Sequence, residues 1–241
     1  MLILLLAAVT AGPGALEKAC DAGKAAACRD AGDVYSLGRG VPASPENAAK
    51  LWKRACKLKD QDGCADDALS LVLGTGQYAD PVPALKRLEA MCRQGQPLAC
   101  GNLGAAFVQG FGGKDGPARA NGLLKKACDR KVASACRVLA GELAKKNDLA
   151  RATAAARSGC DRGEPESCVV LGDLYLKASD TLQAGVAFSR GCDGGAPAGC
   201  YGQAEILIQS GVDKTKGKIL LDKACKAGDG RACQAELNPD L

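Results

Sequence analysis

The chain of 241 residues contains no histidine. That absence removes the Ser-His-Asp and Cys-His arrangements in which an imidazole activates a nucleophile, and it removes the usual histidine ligands of zinc. Aromatic residues are only 3% of the chain, with a single tryptophan. Much of the 47% hydrophobic fraction is alanine and cysteine; such side chains bury little area each, so an ordinary globular core would be thin. No block of Lys or Arg stands out, and a net charge of +5 spread along the sequence argues against nucleic acid or a membrane surface as partner. No apolar run approaches the ~20 residues needed to cross a bilayer.

What is present is cysteine, fourteen of them, in seven pairs of identical spacing: Cys20/Cys28, Cys56/Cys64, Cys92/Cys100, Cys128/Cys136, Cys160/Cys168, Cys192/Cys200 and Cys225/Cys233. Successive pairs begin 36, 36, 36, 32, 32 and 33 residues apart. A period in this range is the signature of stacked supersecondary units. Small residues suit such a stack, because each unit packs only on its neighbours. The cysteines do not read as zinc knuckles or as a redox motif, since no Cys-x2-Cys occurs. Structural disulfides remain, and these persist outside the cytosol.

Within one straight helix, residues eight apart lie about 12 Å apart, too far for a bridge. A Cys-x7-Cys disulfide therefore demands a turn between its ends. The intervening segments mostly carry Gly, Pro or Asp near the middle; DRKVASA, between Cys128 and Cys136, lacks both Gly and Pro. The rival scheme would join Cys28 to Cys56 across one helical hairpin, but it strands Cys20 and Cys233. The expected bridges are Cys20–Cys28, Cys56–Cys64, Cys92–Cys100, Cys128–Cys136, Cys160–Cys168, Cys192–Cys200 and Cys225–Cys233. Each nine-residue loop contributes about 2.5 kcal/mol in the chain-entropy model.

Between the pairs lie two helical segments per unit. After Cys28 comes a first helix from Arg29, a loop, then a second helix opened by Ser44 as N-cap with Pro45 at its first position. Asp80-Pro81 occupies the equivalent place in the next unit. Later units are three or four residues shorter, so Asn147-Asp148 and Lys177-Ala178-Ser179-Asp180 must turn the chain tightly. A short capping helix ends at Glu236-Leu237-Asn238-Pro239. The fold expected is all-α, a solenoid of about six to seven disulfide-stapled hairpins in one domain spanning 12–241. Ahead of it, Met1 to Ala11 is apolar, closes on Val9-Thr10-Ala11 and is followed by Gly12-Pro13-Gly14. It reads as a signal peptide over 1–11, which places the protein in the periplasm or outside the cell.

Tyr35-x2-Gly38-x-Gly40-Val41, followed by Glu46-x-Ala48-x2-Leu51-Trp52-x2-Ala55-Cys56, resembles a Sel1-like repeat, a relative of the tetratricopeptide repeat. The motif recurs at Leu103-Gly104-x2-Phe107-x2-Gly110 and at Leu171-Gly172-x2-Tyr175, while Asp67-Ala68 and Gln203-Ala204 stand where Leu-Gly is expected. With a cysteine pair in every repeat, the chain is similar to the secreted cysteine-rich proteins of Helicobacter. The resemblance implies a right-handed α/α superhelix with first helices on its concave face, and a scaffold for protein interaction. It also implies an alternative, a penicillin-binding protein with weak β-lactamase activity, whose ligand would be a β-lactam or a peptidoglycan-derived molecule.

The residues themselves favour binding over catalysis. A serine β-lactamase needs Ser-x-x-Lys, and no serine here has lysine three positions on. We assign no catalytic residue, no metal ligand and no cofactor. On each first helix, the residue after the second cysteine and the one four further on share a face. That selects Arg29 with Asp33, Val169 with Asp173, and Tyr201 with Glu205, joined by Arg137. Their alternating sign points to a protein or peptide partner rather than a polyanion.

Overall fold

The computed structural model describes residues 13–237. The signal peptide expected over 1–11 lies outside the described residues, as do Asn238 and Pro239. All regular structure among the described residues is helical. The chain divides into two compact units, residues 1–123 and 124–241.

In the first unit α1 (Pro13–Asp21) leads into hairpins formed by α2 (Ala25–Leu37) with α3 (Pro45–Lys57) and α4 (Gln61–Leu73) with α5 (Pro81–Arg93), followed by α6 (Pro97–Val108). Helix α7 (Gly116–Asp129) runs across residue 123. The second unit pairs α8 (Ala133–Lys145) with α9 (Leu149–Asp161), α10 (Pro165–Lys177) with α11 (Thr181–Asp193), and α12 (Pro197–Gln209) with α13 (Lys214–Lys226), and ends on α14 (Gly230–Glu236). From α1 to α6, and again from α8 to α14, each helix packs on the next, and the first helices also meet one another: α2 on α4, α4 on α6, α8 on α10, α10 on α12.

The turn from each second helix to the following first helix is the constant element. It occupies residues 22–24, 58–60, 94–96, 130–132, 162–164, 194–196 and 227–229. Its middle residue is left-handed every time: Gly23, Lys59, Gly95, Lys131, Gly163, Gly195 and Gly228, with φ between 69° and 96°. The N–H of the residue after it bonds back to the carbonyl just before the first cysteine, as in Lys24 to Ala19 (3.1 Å) and Asp60 to Ala55 (3.0 Å). This closes the exposed carbonyls of the helix end as a left-handed C-cap does. Lys131 explains how the glycine-free segment DRKVASA still turns.

This turn joins the seven disulfides, Cys20–Cys28 through Cys225–Cys233, with Cα–Cα distances of 4.3 to 4.7 Å. The first helices begin earlier than the sequence suggests: α2 starts at Ala25, not at Arg29, so Cys28 lies in its first turn. A three-residue turn suffices, and helix runs on through both cysteines. The close approach needs small neighbours. A Cβ on Gly63 would stand 2.5 Å from the Ala55 Cβ, and one on Gly199 only 2.6 Å from the Cys192 nitrogen.

Between the helices of a repeat, glycines on the first helix make room for aromatics of the second. Gly32 receives Trp52, and Phe188, 2% exposed, lies against Gly172 and Gly202. Alanine is the commonest of the other buried residues, as at Ala31, Ala48, Ala65 and Ala68, so the helices sit close over a shallow core. At Asp67, where a leucine is expected, the buried carboxylate instead accepts a 3.0 Å hydrogen bond from Arg87 Nη1 of α5.

Candidate partner-binding face

The first helices of the first unit carry a concentration of carboxylates. Arg29, in the first turn of α2, donates to Asp30 (2.9 Å) and to Asp62 at the start of α4 (3.3 Å), with Asp60 3.7 Å away. Asp33, one turn along α2, takes its hydrogen bond from the indole Nε1 of Trp52 at 3.0 Å. Asp66 of α4 accepts from Asn102 Nδ2 of α6 at 3.0 Å, and Asp62 from Gln96 Nε2 at 2.7 Å. Asp60 also caps α4, accepting from the Gly63 N–H at 2.6 Å.

Burial raises the Asp33 carboxyl to about 6, against the Trp52 hydrogen bond and the Arg29 charge, which hold it down. Asp66 is pushed further, to about 7, by burial first and the neighbouring negative charge of Asp33 second; the Asn102 bond opposes this. Both shifts follow from moving charge out of water beside like charge. Arg29 and Asp33 stand one turn apart on α2 and interact through charge, but their hydrogen bonds go to other groups. Arg29 serves Asp30, Asp60 and Asp62, while Asp33 belongs to Trp52. Carboxylates predominate here: Asp30, Asp33, Asp60, Asp62 and Asp66 lie around Arg29, with Arg39 also acting on Asp33.

The second unit is arranged differently. Arg137 of α8 donates through Nε to Glu164, the residue before α10, at 3.1 Å, and so pairs away from the other selected residues. Tyr201 and Glu205 of α12 are joined by a 2.6 Å bond from phenol to carboxylate, which drives the phenol up to about 12. The Arg231 guanidinium of α14 lies 4.4 Å from the Tyr201 ring centroid and is held by Asp229 at 2.7 Å; such stacking of a cation on a ring is attractive. Asp173 of α10 is raised by burial, with Arg231 and Lys177 opposing and Glu205 adding to it. Asp173, Tyr201 and Glu205 thus share one neighbourhood with Arg231. On the opposite side of α12, Leu182, Val186, Ile206 and Val212 line an apolar groove of about 480 Å³ against α11.

Sequence reading did not select Asp62, Asp66, Trp52, Asn102 or Arg231. The first-unit column was visible in the repeat register: Asp30, Asp66 and Asn102 each stand two residues after a second cysteine, 36 apart. Arg231 offered no such signal, because it reaches Tyr201 from the terminal helix. Among the described residues no group of three or more cysteine or carboxylate side chains is placed to hold a metal ion, and no helix is long and apolar enough to cross a membrane.

Three stretches of the chain, residues 25–60, 97–132 and 200–229, match the Sel1 repeat model. No curated protein matches the sequence. Solved structures do. A protective antigen of uropathogenic Escherichia coli with a Sel1-like repeat (SLR) fold shares 21% identity at a TM-score of 0.64, over 93% of this chain and 50% of that one; the chain therefore spans half its length. A Sel1 repeat protein from Oxalobacter formigenes shares 21% at 0.58, over 88% and 87% of the two chains. An immunity protein from Pseudomonas aeruginosa shares 15% at 0.58, over 90% and 84%. At these identities the likeness is one of fold.

Proposed function

The chain is a Sel1-repeat protein, and on that premise we propose that it is an exported, disulfide-stapled scaffold that binds a protein or peptide partner on the faces of its first helices. The observation that carries this is the first-unit surface of Arg29, Asp30, Asp33, Asp60, Asp62 and Asp66, assembled from successive repeats, in which carboxylates outnumber the cations Arg29 and Arg39. Repeat stacks present extended surfaces of this kind, and its charge favours a segment carrying lysine or arginine. Tyr201, Glu205, Asp173 and Arg231 offer a second patch, aromatic and mixed in sign. Seven bridges suit an oxidising compartment outside the cytosol, which supports export.

The test is capture from envelope and culture fractions with the intact chain, beside a variant carrying Asp30→Lys and Asp62→Lys. A partner retained by the first and lost by the second, with loss of binding in high salt, supports the reading. Equal capture by both removes the first-unit face from it. We do not extend the reading to β-lactam chemistry, since the serines lack the lysine that would activate them. Turnover of nitrocefin by the pure protein is expected to equal that of buffer, and turnover abolished by denaturation would overturn the binding-only reading.

A further inference from the structure

The seven bridges are not equally placed. Those at Cys20/Cys28, Cys92/Cys100, Cys128/Cys136, Cys160/Cys168 and Cys192/Cys200 are 0 to 6% exposed, whereas Cys56, Cys64, Cys225 and Cys233 are half-buried. Only the last two bridges are open to an attacking thiolate without prior separation of helices. They differ in one respect. Arg87 of α5 places Nη2 2.6 Å from Cys56 Sγ, while its Nη1 is held at 3.0 Å by the buried carboxylate of Asp67. Among the described residues the Cys225–Cys233 bridge carries no such cation on its sulfurs.

We propose that Cys56–Cys64 is a thiol–disulfide exchange site, opened by a dithiol that attacks Cys64 and expels Cys56. The guanidinium lies on Cys56 Sγ, so attack at Cys64 Sγ makes the sulfur beside the cation the leaving group. As the incoming thiolate bonds to Cys64, the electron pair of the S–S bond passes to Cys56 Sγ, and the charge arriving there is met by Arg87. A cation beside a sulfur favours the thiolate, and a better-stabilised leaving thiolate departs faster. The second thiol of the reagent then attacks its own sulfur in the mixed disulfide, releasing Cys64 as thiolate to take a proton from water. The dithiol loses two electrons and two protons, and the bridge becomes two thiols. The position matters for the first-unit face, because this bridge fastens the end of α3 to the start of α4, where Asp60 and Asp62 hold Arg29. Exchange at this one staple would loosen that face while six bridges stay closed.

The test uses the intact, fully oxidised chain with dithiothreitol in native buffer, sampled over time by alkylation and peptide mapping. Cys56 and Cys64 should be alkylated first, ahead of Cys225 and Cys233, with the buried bridges last. Replacing Arg87→Met together with Asp67→Asn, so that no buried carboxylate loses its partner, should slow the opening of Cys56–Cys64 roughly threefold, the effect of removing a cation from the leaving sulfur. Cys225–Cys233 in the same sample should keep its rate. Arg87→Lys should fall between. A monothiol, 2-mercaptoethanol, should leave its adduct on Cys64, which a merely structural role for Arg87 would not dictate. Opening of all bridges with one rate, an unchanged rate of Cys56–Cys64 opening in the double variant, or an adduct on Cys56 would each overturn the proposal.

Discussion

The two units are built from the same helices and the same stapled turn, yet they differ in how each repeat crosses from its first helix to its second. In the first unit the crossings are residues 38–44, 74–80 and 109–115, and they run through left-handed Gly38, Gly40, Gly74, Gly76, Gly110 and Gly113. In the second unit they shrink to residues 146–148, 178–180 and 210–213, turned by Asn147, Ser179 and Gly211. Repeat periods of 36 against 32 and 33 therefore come from these loops, since the two helices of each repeat taken together and the turn at the cysteines hold their length. One loop of the first unit is also tightly packed: a Cβ on Gly76 would run into the carbonyl of Pro45, whereas one on Gly40 would meet nothing. Gly211 faces open space. The lesson is that variation collects where no bridge and no helix contact constrains the chain.

The largest test of that contrast is a pair of substitutions. Gly76→Ala should cost about 2–4 kcal/mol, because a left-handed residue gains a side chain and must push against backbone. Gly211→Ala should cost only about 1 kcal/mol, from backbone conformation alone. Equal losses in denaturant melts would show that the long loops are no more constrained than the short ones.

A second contrast is electrostatic. The carboxyl of Asp66 titrates at about 7 in the folded chain, against an ordinary value near 3.9. Between about pH 4 and 7 the unfolded state therefore releases its proton first, and stability falls as pH rises. Asp66→Asn should stabilise the protein by about 1–2 kcal/mol at pH 8 and leave it unchanged at pH 4. Asp173→Asn in the second unit, where the carboxylate is more open to solvent than that of Asp66, should show a smaller pH dependence. A gain at Asp66 that is the same at both pH values would remove the buried-charge explanation.

The smallest effect addresses what the units share. Lys59 and Lys131 adopt φ of 69° and 72° in the stapled turn, where the other repeats place glycine. Lys59→Gly and Lys131→Gly should each raise stability by about 0.5–1 kcal/mol. Because one lies in each unit, unequal gains would break the claim that this turn is the constant element.

Much of this architecture was legible in the chain. The cysteine register marks the repeat period, the need for a turn inside Cys-x7-Cys follows from helix geometry, and Ser44-Pro45 and Asn147-Asp148 announce a helix start and a tight turn. The candidate face was legible only in part. Tyr201 with Glu205 follows from i,i+4 spacing along one helix, and such pairs are local. Arg29 was selected from the same register, but its contacts with Asp60 and Asp62 could not be read from α2.

What the sequence determined by itself is thus everything with a local cause: helices, turns, the repeat, and a compartment in which fourteen cysteines can be oxidised. Only the tertiary structure decided which carboxylates Arg29 holds, that Trp52 takes Asp33, that Arg231 covers Tyr201, and that Arg87 lies on one bridge among seven. Those choices join residues some 20 to 36 positions apart in sequence. They depend on the angle and offset at which successive helices stack, and those are set by small side chains packed along the whole repeat rather than by any one motif.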